Sequence, residues 1–244
     1  MEHWEYLKPG GYRFVYDDTL FPPGTDTFLL SSLPRLKAGT KVCDLGCGTG
    51  LLSLLLLQRQ PDLFVTGVEI QAAVAALARK AASENGLEDR FSVCCADLRE
   101  IRSHFPTGSF DLVVCNPPYY PPSSGRVSAE AALRTARSEV SCTLDDVCKA
   151  AAYLLRWGGS IALVHKPERL TDVLCALREH AMEPKRLRFI CRNGSSAPSL
   201  ILVEGRRGGN AGLTVESPLI LQKPDGSPSH EVDTIYFRQQ EDML

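Results

Sequence analysis

Residues 40–50 read Thr40-Lys41-Val42-Cys43-Asp44-Leu45-Gly46-Cys47-Gly48-Thr49-Gly50, and the apolar run LLSLLLLQRQ (51–60) follows at once. A short apolar run ending in glycine reads as a buried strand, and a leucine-rich stretch stopped by Pro61 reads as a helix. Strand, glycine turn and helix in that order form the first unit of a parallel α/β sheet. Working outward, LFVTGVEI (63–70) predicts a second strand and QAAVAALARKAASENG (71–86) a helix ending in Asn-Gly. FSVCCAD (91–97) and FDLVVCN (110–116) predict the third and fourth strands. A helix over 144–156, a strand over 160–166 and a helix over 167–182 with Pro167 in its first turn follow. KRLRFICR (185–192) and PSLILVEG (198–205) are separated only by a turn at Asn193-Gly194, which predicts an antiparallel hairpin at the sheet edge. Strands separated by helices pair in parallel through crossovers, and their Val/Ile/Leu character fits a sheet covered on both faces. The expectation is a doubly wound α/β domain of about seven strands over 40–205. Residues 1–39 form a lead-in, read as a lid, and 206–244 a tail packed on the domain.

The 244 residues are 44% hydrophobic and 23% charged, enough for a core that needs no staples. A disulfide miniprotein, a collagen-like fibre and a disordered tail are excluded. No apolar run approaches the ~20 residues of a membrane helix, and MEHWEYLKPGGYRF lacks the pattern of a signal peptide. Nine scattered cysteines without a CxxC pair read as buried, reduced thiols of a cytoplasmic protein. The net charge of −2 conceals a pattern: residues 120–210 carry 14 basic and 9 acidic residues, while 1–119 carry 11 and 14. A polyanion fits the middle block, as does a solvated surface.

A glycine-rich turn between strand and helix lets a ligand approach the backbone beside free N–H groups. The spacing here is GxGxG, unlike the dinucleotide fingerprint, and the GxxxxGK[ST] phosphate loop is absent. Asp44 before the turn would repel a pyrophosphate but suits an ammonium group. Glu69 ends the second strand, placed to bind both hydroxyls of a ribose. Asp97 ends the third, where it can accept from the exocyclic amine of a purine. Three acids at successive strand ends plus the turn describe a nucleoside with a cationic amino-acid arm, S-adenosylmethionine. Each acid alone reads equally well as a cap or a solvated turn residue; the constellation carries the assignment.

Asn116-Pro117-Pro118-Tyr119 follows the fourth strand. Two prolines stiffen the backbone and remove two donors, leaving carbonyls that only accept, and the asparagine adds a side-chain acceptor. Paired acceptors hold both protons of a planar amino group and orient its lone pair. Tyr119 offers a stacking face worth ~1–3 kcal/mol to a base. A stiff turn is the structural alternative, but its place beside the donor motif favours catalysis.

Taken together, DLGCGTG, Glu69, Asp97 and NPPY resemble the S-adenosylmethionine-dependent methyltransferases of amino groups. Gly11-Tyr12-Arg13-Phe14, Gly24-Thr25-Asp26-Thr27-Phe28-Leu29-Leu30, NPPYY, the stretch at 136–139 before Thr143-Leu144 and the run from His165 to Leu170 resemble the tRNA1(Val) (adenine(37)-N6)-methyltransferase family. The resemblance implies the Rossmann-like class I methyltransferase fold with strand order 3-2-1-4-5-7-6. It implies transfer to N6 of a tRNA adenine, with S-adenosylhomocysteine as product. Donor contacts are expected from Asp44, Gly46, Cys47, Gly48, Gly50, Glu69, Ile70, Asp97, Leu98 and Asn116. Catalysis falls to Asn116, Pro117, Pro118 and Tyr119, and RNA contact to Tyr119, Tyr120, Arg126, Arg134 and Arg137 of a substrate loop over 120–142. In-line displacement needs no metal and no general base of raised pKa. A monomer is expected, and His165 reads as a structural strand-end residue. The basic run Lys185, Arg186, Arg188 and Arg192 reads either as RNA contact or as edge protection.

Alternatives remain. Protein-glutamine N5 methyltransferases of release factors share NPPY but carry a longer helical N-terminal domain; only 43 residues precede Asp44 here. Guanine-N2 methyltransferases of 16S rRNA usually have a duplicated domain. A non-catalytic RNA-binding relic is marked by loss of Asn116, Glu69 or a glycine, and all are intact.

Overall fold

A computed structural model describes residues 1–17, 24–117 and 142–238. The chain opens with a hairpin of β1 (Glu2–Tyr6) and β2 (Arg13–Asp17), followed by α1 (Thr25–Ser31). The alternating series is β3 (Lys41–Leu45), α2 (Leu51–Arg59), β4 (Phe64–Glu69), α3 (Ala72–Glu84), β5 (Phe91–Cys95), a 3-10 turn (Leu98–Ser103) and β6 (Phe110–Cys115). Then come α4 (Leu144–Leu154), β7 (Leu155–His165), α5 (Leu170–Glu179), β8 (Met182–Cys191) and β9 (Pro198–Arg207). Two-residue strands β10 (Thr214–Val215) and β11 (Leu219–Ile220) precede α6 (His230–Ile235).

The sheet runs β10-β8-β9-β7-β6-β3-β4-β5, with β11 also paired to β8. Strands β3 to β7 are mutually parallel, and β9 is antiparallel to both β7 and β8. The core order is therefore the expected 3-2-1-4-5-7-6. Successive residues serve opposite faces. Val42, Val65, Leu112 and Val114 join the layer of α1 to α3, while Cys43, Leu45, Val113 and Cys115 join that of α4 and α5. Residues Leu51 to Leu57 of α2 are all buried, so truncating one of these leucines should cost ~2–5 kcal/mol.

Four expectations change. The β8–β9 hairpin is not the edge, because β10 and β11 of the tail add to β8. Seven strands become nine for the same reason. The helix expected over 144–156 stops at Leu154, since Leu155 already pairs with Phe110 and residues 156–159 bulge out before Ser160 meets Leu112. The helix expected over 167–182 is a 3-10 turn, Pro167–Arg169, followed by α5. The β1–β2 hairpin has no counterpart among the elements expected from periodicity. It packs at the far ends of α2 and α3, where Tyr12 N donates to Gln58 Oε1 (3.0 Å) and Arg13 N to Asn85 Oδ1 (2.7 Å). Of the described lead-in, α1 is the part that reaches the carboxyl end of the sheet.

Candidate functional site

Parallel pairing aligns the carboxyl ends of β3, β4, β5 and β6, with Leu45 opposite Val68 and Cys115, and Glu69 opposite Cys95. The residues assigned to donor and acceptor from sequence therefore share one end of the sheet. The turn after β3 is anchored across the strands, with Gly46 N and Cys47 N both donating to Val68 O (2.8 and 3.1 Å). Gly46 and Gly48 have φ of +70° and +56°, and a Cβ on either would meet nothing within 4 Å. Their requirement is backbone handedness together with open space in front of the turn. Gly50, with φ of +85°, shares that handedness and adds a second constraint: a Cβ there would lie 2.9 Å from the Phe91 ring, so it is also needed for close packing of α2 on the sheet. Cys47 is buried, its sulfur packed on Gly67, which leaves only its backbone for a ligand.

Glu69 is 7% exposed and held by two amides, Gly48 N on Oε2 (3.1 Å) and Gln71 N on Oε1 (2.9 Å). Asp44, 1% exposed, accepts from Ser53 Oγ at 2.7 Å. Burial pushes its carboxyl up to about 7; the Ser53 bonds oppose that shift, and the nearby Glu69 charge adds to it. Two carboxylates in one nearly dry corner favour a cation, the chemistry expected of an amino-acid arm. The open glycine turn and these acids fit S-adenosylmethionine.

Asp97 caps the 3-10 turn, accepting from Arg99 N (2.9 Å), and Arg99 also grips its carboxylate through Nε (2.9 Å) and Nη2 (2.5 Å). These bonds hold its carboxyl below the usual range. Leu98 is half-buried beside it, and Ile70 stands exposed after β4. Asn116 is half-buried, its Nδ2 donating to Thr27 Oγ1 of α1 at 3.1 Å, and Pro117 is buried. Pro118, Tyr119, Tyr120, Arg126, Arg134 and Arg137 lie outside the described residues.

Sequence reasoning missed Ser53, Arg99 and Thr27. An Asp two residues before an Arg at a helix start was a visible signal for the second. Nothing local announces Thr27, 89 residues from its partner. His165 is buried at the end of β7, accepts from Lys166 N at 2.8 Å, and burial lowers it to about 4. Among the described residues no His/Cys/Asp/Glu group could hold a metal. No described helix is long and apolar enough to cross a membrane. A cleft of about 1840 Å³ lies elsewhere, between the N-terminal hairpin, α1 and α6, and none of the assigned donor residues lines it.

The family model of the methyltransferase small domain matches residues 15–180. A tRNA1(Val) (adenine(37)-N6)-methyltransferase of Dickeya chrysanthemi is 31% identical over 235 residues, 92% of this chain and 91% of that one. One from Porphyromonas gingivalis is 30% identical over 202 residues, 80% and 78% of the two chains. Among solved structures, a predicted O-methyltransferase from Agrobacterium tumefaciens superposes with a TM-score of 0.72 at 22% identity, covering 87% of this chain and 96% of its own. Precorrin-6y C5,15-methyltransferase from Geobacter metallireducens gives 0.55 at 16%, covering 79% and 92%. These two support the fold alone. Family model and curated relatives together establish that the chain belongs to the tRNA1(Val) (adenine(37)-N6)-methyltransferase family, within the methyltransferase small domain group.

Proposed function

We propose that this chain transfers the methyl group of S-adenosylmethionine to the exocyclic N6 of a tRNA adenine next to the anticodon. The observation that carries the reading is the placement of Asn116-Pro117 at the end of β6, beside the strand ends bearing the glycine turn, Asp44 and Glu69. The family and the names of its curated relatives support the same substrate. It acts in the cytoplasm as a monomer. Residues 40–205 form the catalytic domain, 120–142 the substrate loop, and 206–244 a supporting tail.

S-adenosylmethionine supplies an electrophilic methyl on a sulfonium. Gly46 and Gly48 admit its amino-acid arm, with Asp44 facing the ammonium end and the Cys47 backbone beside it. Gly50 keeps α2 close enough for the turn to hold its shape. Glu69 binds the ribose hydroxyls; fixing both its oxygens on backbone amides sets its direction in advance. Asp97 and Leu98, with Ile70, border the adenine of the donor. On the acceptor side, Asn116 Oδ1 and the Pro117 carbonyl accept the two N6 protons and aim the nitrogen lone pair. Pro118 stiffens that turn, while Tyr119 and Tyr120 stack on the target base, which must leave its own stack at a cost of a few kcal/mol. Arg126, Arg134 and Arg137 meet phosphates. Positioning is the main contribution, since the displacement is in-line and the donor intrinsically reactive.

The test is methyl incorporation from labelled donor into unmodified tRNA and into release factor, side by side, at two salt concentrations. Transfer into tRNA that weakens with salt supports the reading. Incorporation into release factor alone overturns the adenine assignment.

A further inference from the structure

At the opposite end of the sheet, the bulge of β7 carries Trp157, which is 71% exposed. The chain places it against the Gly-Arg-Arg-Gly-Gly turn that ends β9: a Cβ on Gly208 would lie 2.1 Å from the indole. One part of the ring rests on that turn, and the rest faces solvent. A cleft of about 370 Å³ opens here, lined by Trp157, Lys185, Arg206, Gly208 and Asn210 among others.

The charge around this ring is unusual for the molecule. Arg206 Nε donates to Gly158 O (3.1 Å), Lys185 Nζ to Asn210 O (3.0 Å), and Arg207 to Leu155 O. Backbone carbonyls orient these three cations without neutralising them. Two nearby carboxylates are already engaged, Asp111 by Arg156 and Glu183 by Arg178. Among the described residues, no carboxylate lies within ion-pair distance of Lys185, Arg206 or Arg207. By contrast, Arg186 and Arg188 of the same basic run are ion-paired with Glu204, Glu216 and Glu231.

An exposed indole flanked by unneutralised guanidinium and ammonium groups is the composition of a stacking platform with a phosphate clamp. A cleft of this size accommodates one nucleotide unit. We infer that the Trp157 bulge and the 206–210 turn form a second RNA-docking surface, taking an unstacked base on Trp157 and its phosphodiester between Arg206 and Lys185. The inference rests on the reading of the chain as a tRNA methyltransferase. The bulge lies beside Asp111, five residues before Asn116, or about 17 Å along the sheet at ~3.3 Å per residue. The two places lie at opposite ends of the sheet, so an RNA held at Asn116 meets Trp157 only where it runs over the side of the domain, and a folded tRNA offers more such reach than an isolated stem–loop.

The experiment compares full-length unmodified tRNA with an isolated anticodon stem–loop, using W157A, W157F and the double variant K185Q/R206Q. For full-length tRNA, W157A is expected to raise KM at least fivefold with kcat within twofold, and W157F to restore most of the loss. K185Q/R206Q should reduce the log–log salt slope by about 0.7–0.9 for each phosphate no longer neutralised. Stem–loop kinetics should change less than those of full-length tRNA, and donor affinity should not change. Wild-type KM for full-length tRNA in all three variants overturns the inference. A second readout is independent of turnover. The chain has two tryptophans, Trp4 and Trp157, so in W4F the emission reports Trp157 directly. Quenching by tRNA supports the surface, and absence of quenching overturns it, whether or not methyl transfer occurs. Failure of transfer into tRNA, by contrast, overturns the proposed function itself.

Discussion

Two places in the sheet, the ends of β3 and β4 and the middle of β8, hold charge in opposite ways. At the carboxyl ends of β3 and β4, Glu69 is fixed by backbone amides and Asp44 by a serine hydroxyl. On β8, Arg186 donates to Glu204 and Glu216 (both 2.7 Å) and to Leu33 O, and Arg188 grips Glu231 with both terminal nitrogens. A charge held by neutral groups keeps its field and can serve a ligand; a charge met by its opposite is spent on structure. Residues of the first kind should therefore change binding or turnover with little effect on stability, and those of the second kind the reverse.

The largest expected break is Asn116→Ala. The acceptor is used most strongly as the amine rehybridises, so turnover should fall at least about 100-fold, roughly 2.7 kcal/mol, far more than donor affinity. Single-turnover transfer and calorimetric titration of the donor separate the two; near-normal turnover would make Asn116 a turn residue only.

Arg186→Leu tests the other side. It leaves Glu204 and Glu216 facing each other without their shared cation, in positions less than a third exposed. Denaturant unfolding should show a loss of about 2–3 kcal/mol, at or below the ~3–5 of a fully buried pair because these groups are partly exposed, with the donor Kd unchanged. Weakened donor binding in this variant would collapse the distinction between the two places.

Glu69→Ala should weaken the donor by about 1.5 kcal/mol or more, over tenfold. Titration of the folded variant at unchanged affinity would remove Glu69 from the ribose site.

The smallest effect on donor binding is that of pH, although its effect on stability is not small. Asp44 sits at about 7 in the folded chain against ~3.9 unfolded, so the native state keeps a proton the unfolded state has lost. Stability contributed by this group is full below about 4 and falls as pH rises to about 7. A cationic donor favours the ionised form, so donor affinity should rise severalfold from pH 6 to 8. Asp44→Asn should flatten both trends; a stability slope of the opposite sign between pH 4 and 7 would break the account.

The turn and strand ends that carry the candidate site were legible because they are local units. GCGTG needs left-handed turns at Gly46 and Gly48, and the apolar runs ending at Leu45, Glu69 and Cys115 mark where strands stop. The basic run on β8 was ambiguous for a physical reason: three arginines look alike whether solvated, RNA-bound or paired. The partners of Arg186 and Arg188, namely Glu204, Glu216 and Glu231, lie 18 to 43 residues away, and Arg192 donates to Gln222, 30 residues on. Residues 155 and 156 read as the end of a helix because Leu154 and Leu155 continue its apolar stripe, and only pairing of Leu155 with Phe110 ends the helix early.

The sequence by itself determined the alternation of strands and helices, the glycine turn and the acids at strand ends, since these follow from periodicity and backbone sterics within a few residues. Tertiary structure alone decided which charges are spent and which remain. It also covered the β8 edge with the tail, and it set the hydroxyl of Thr27 against the Asn116 amide. Each of those outcomes joins groups far apart in the chain, and no local preference specifies a pair until packing of the core brings both members together.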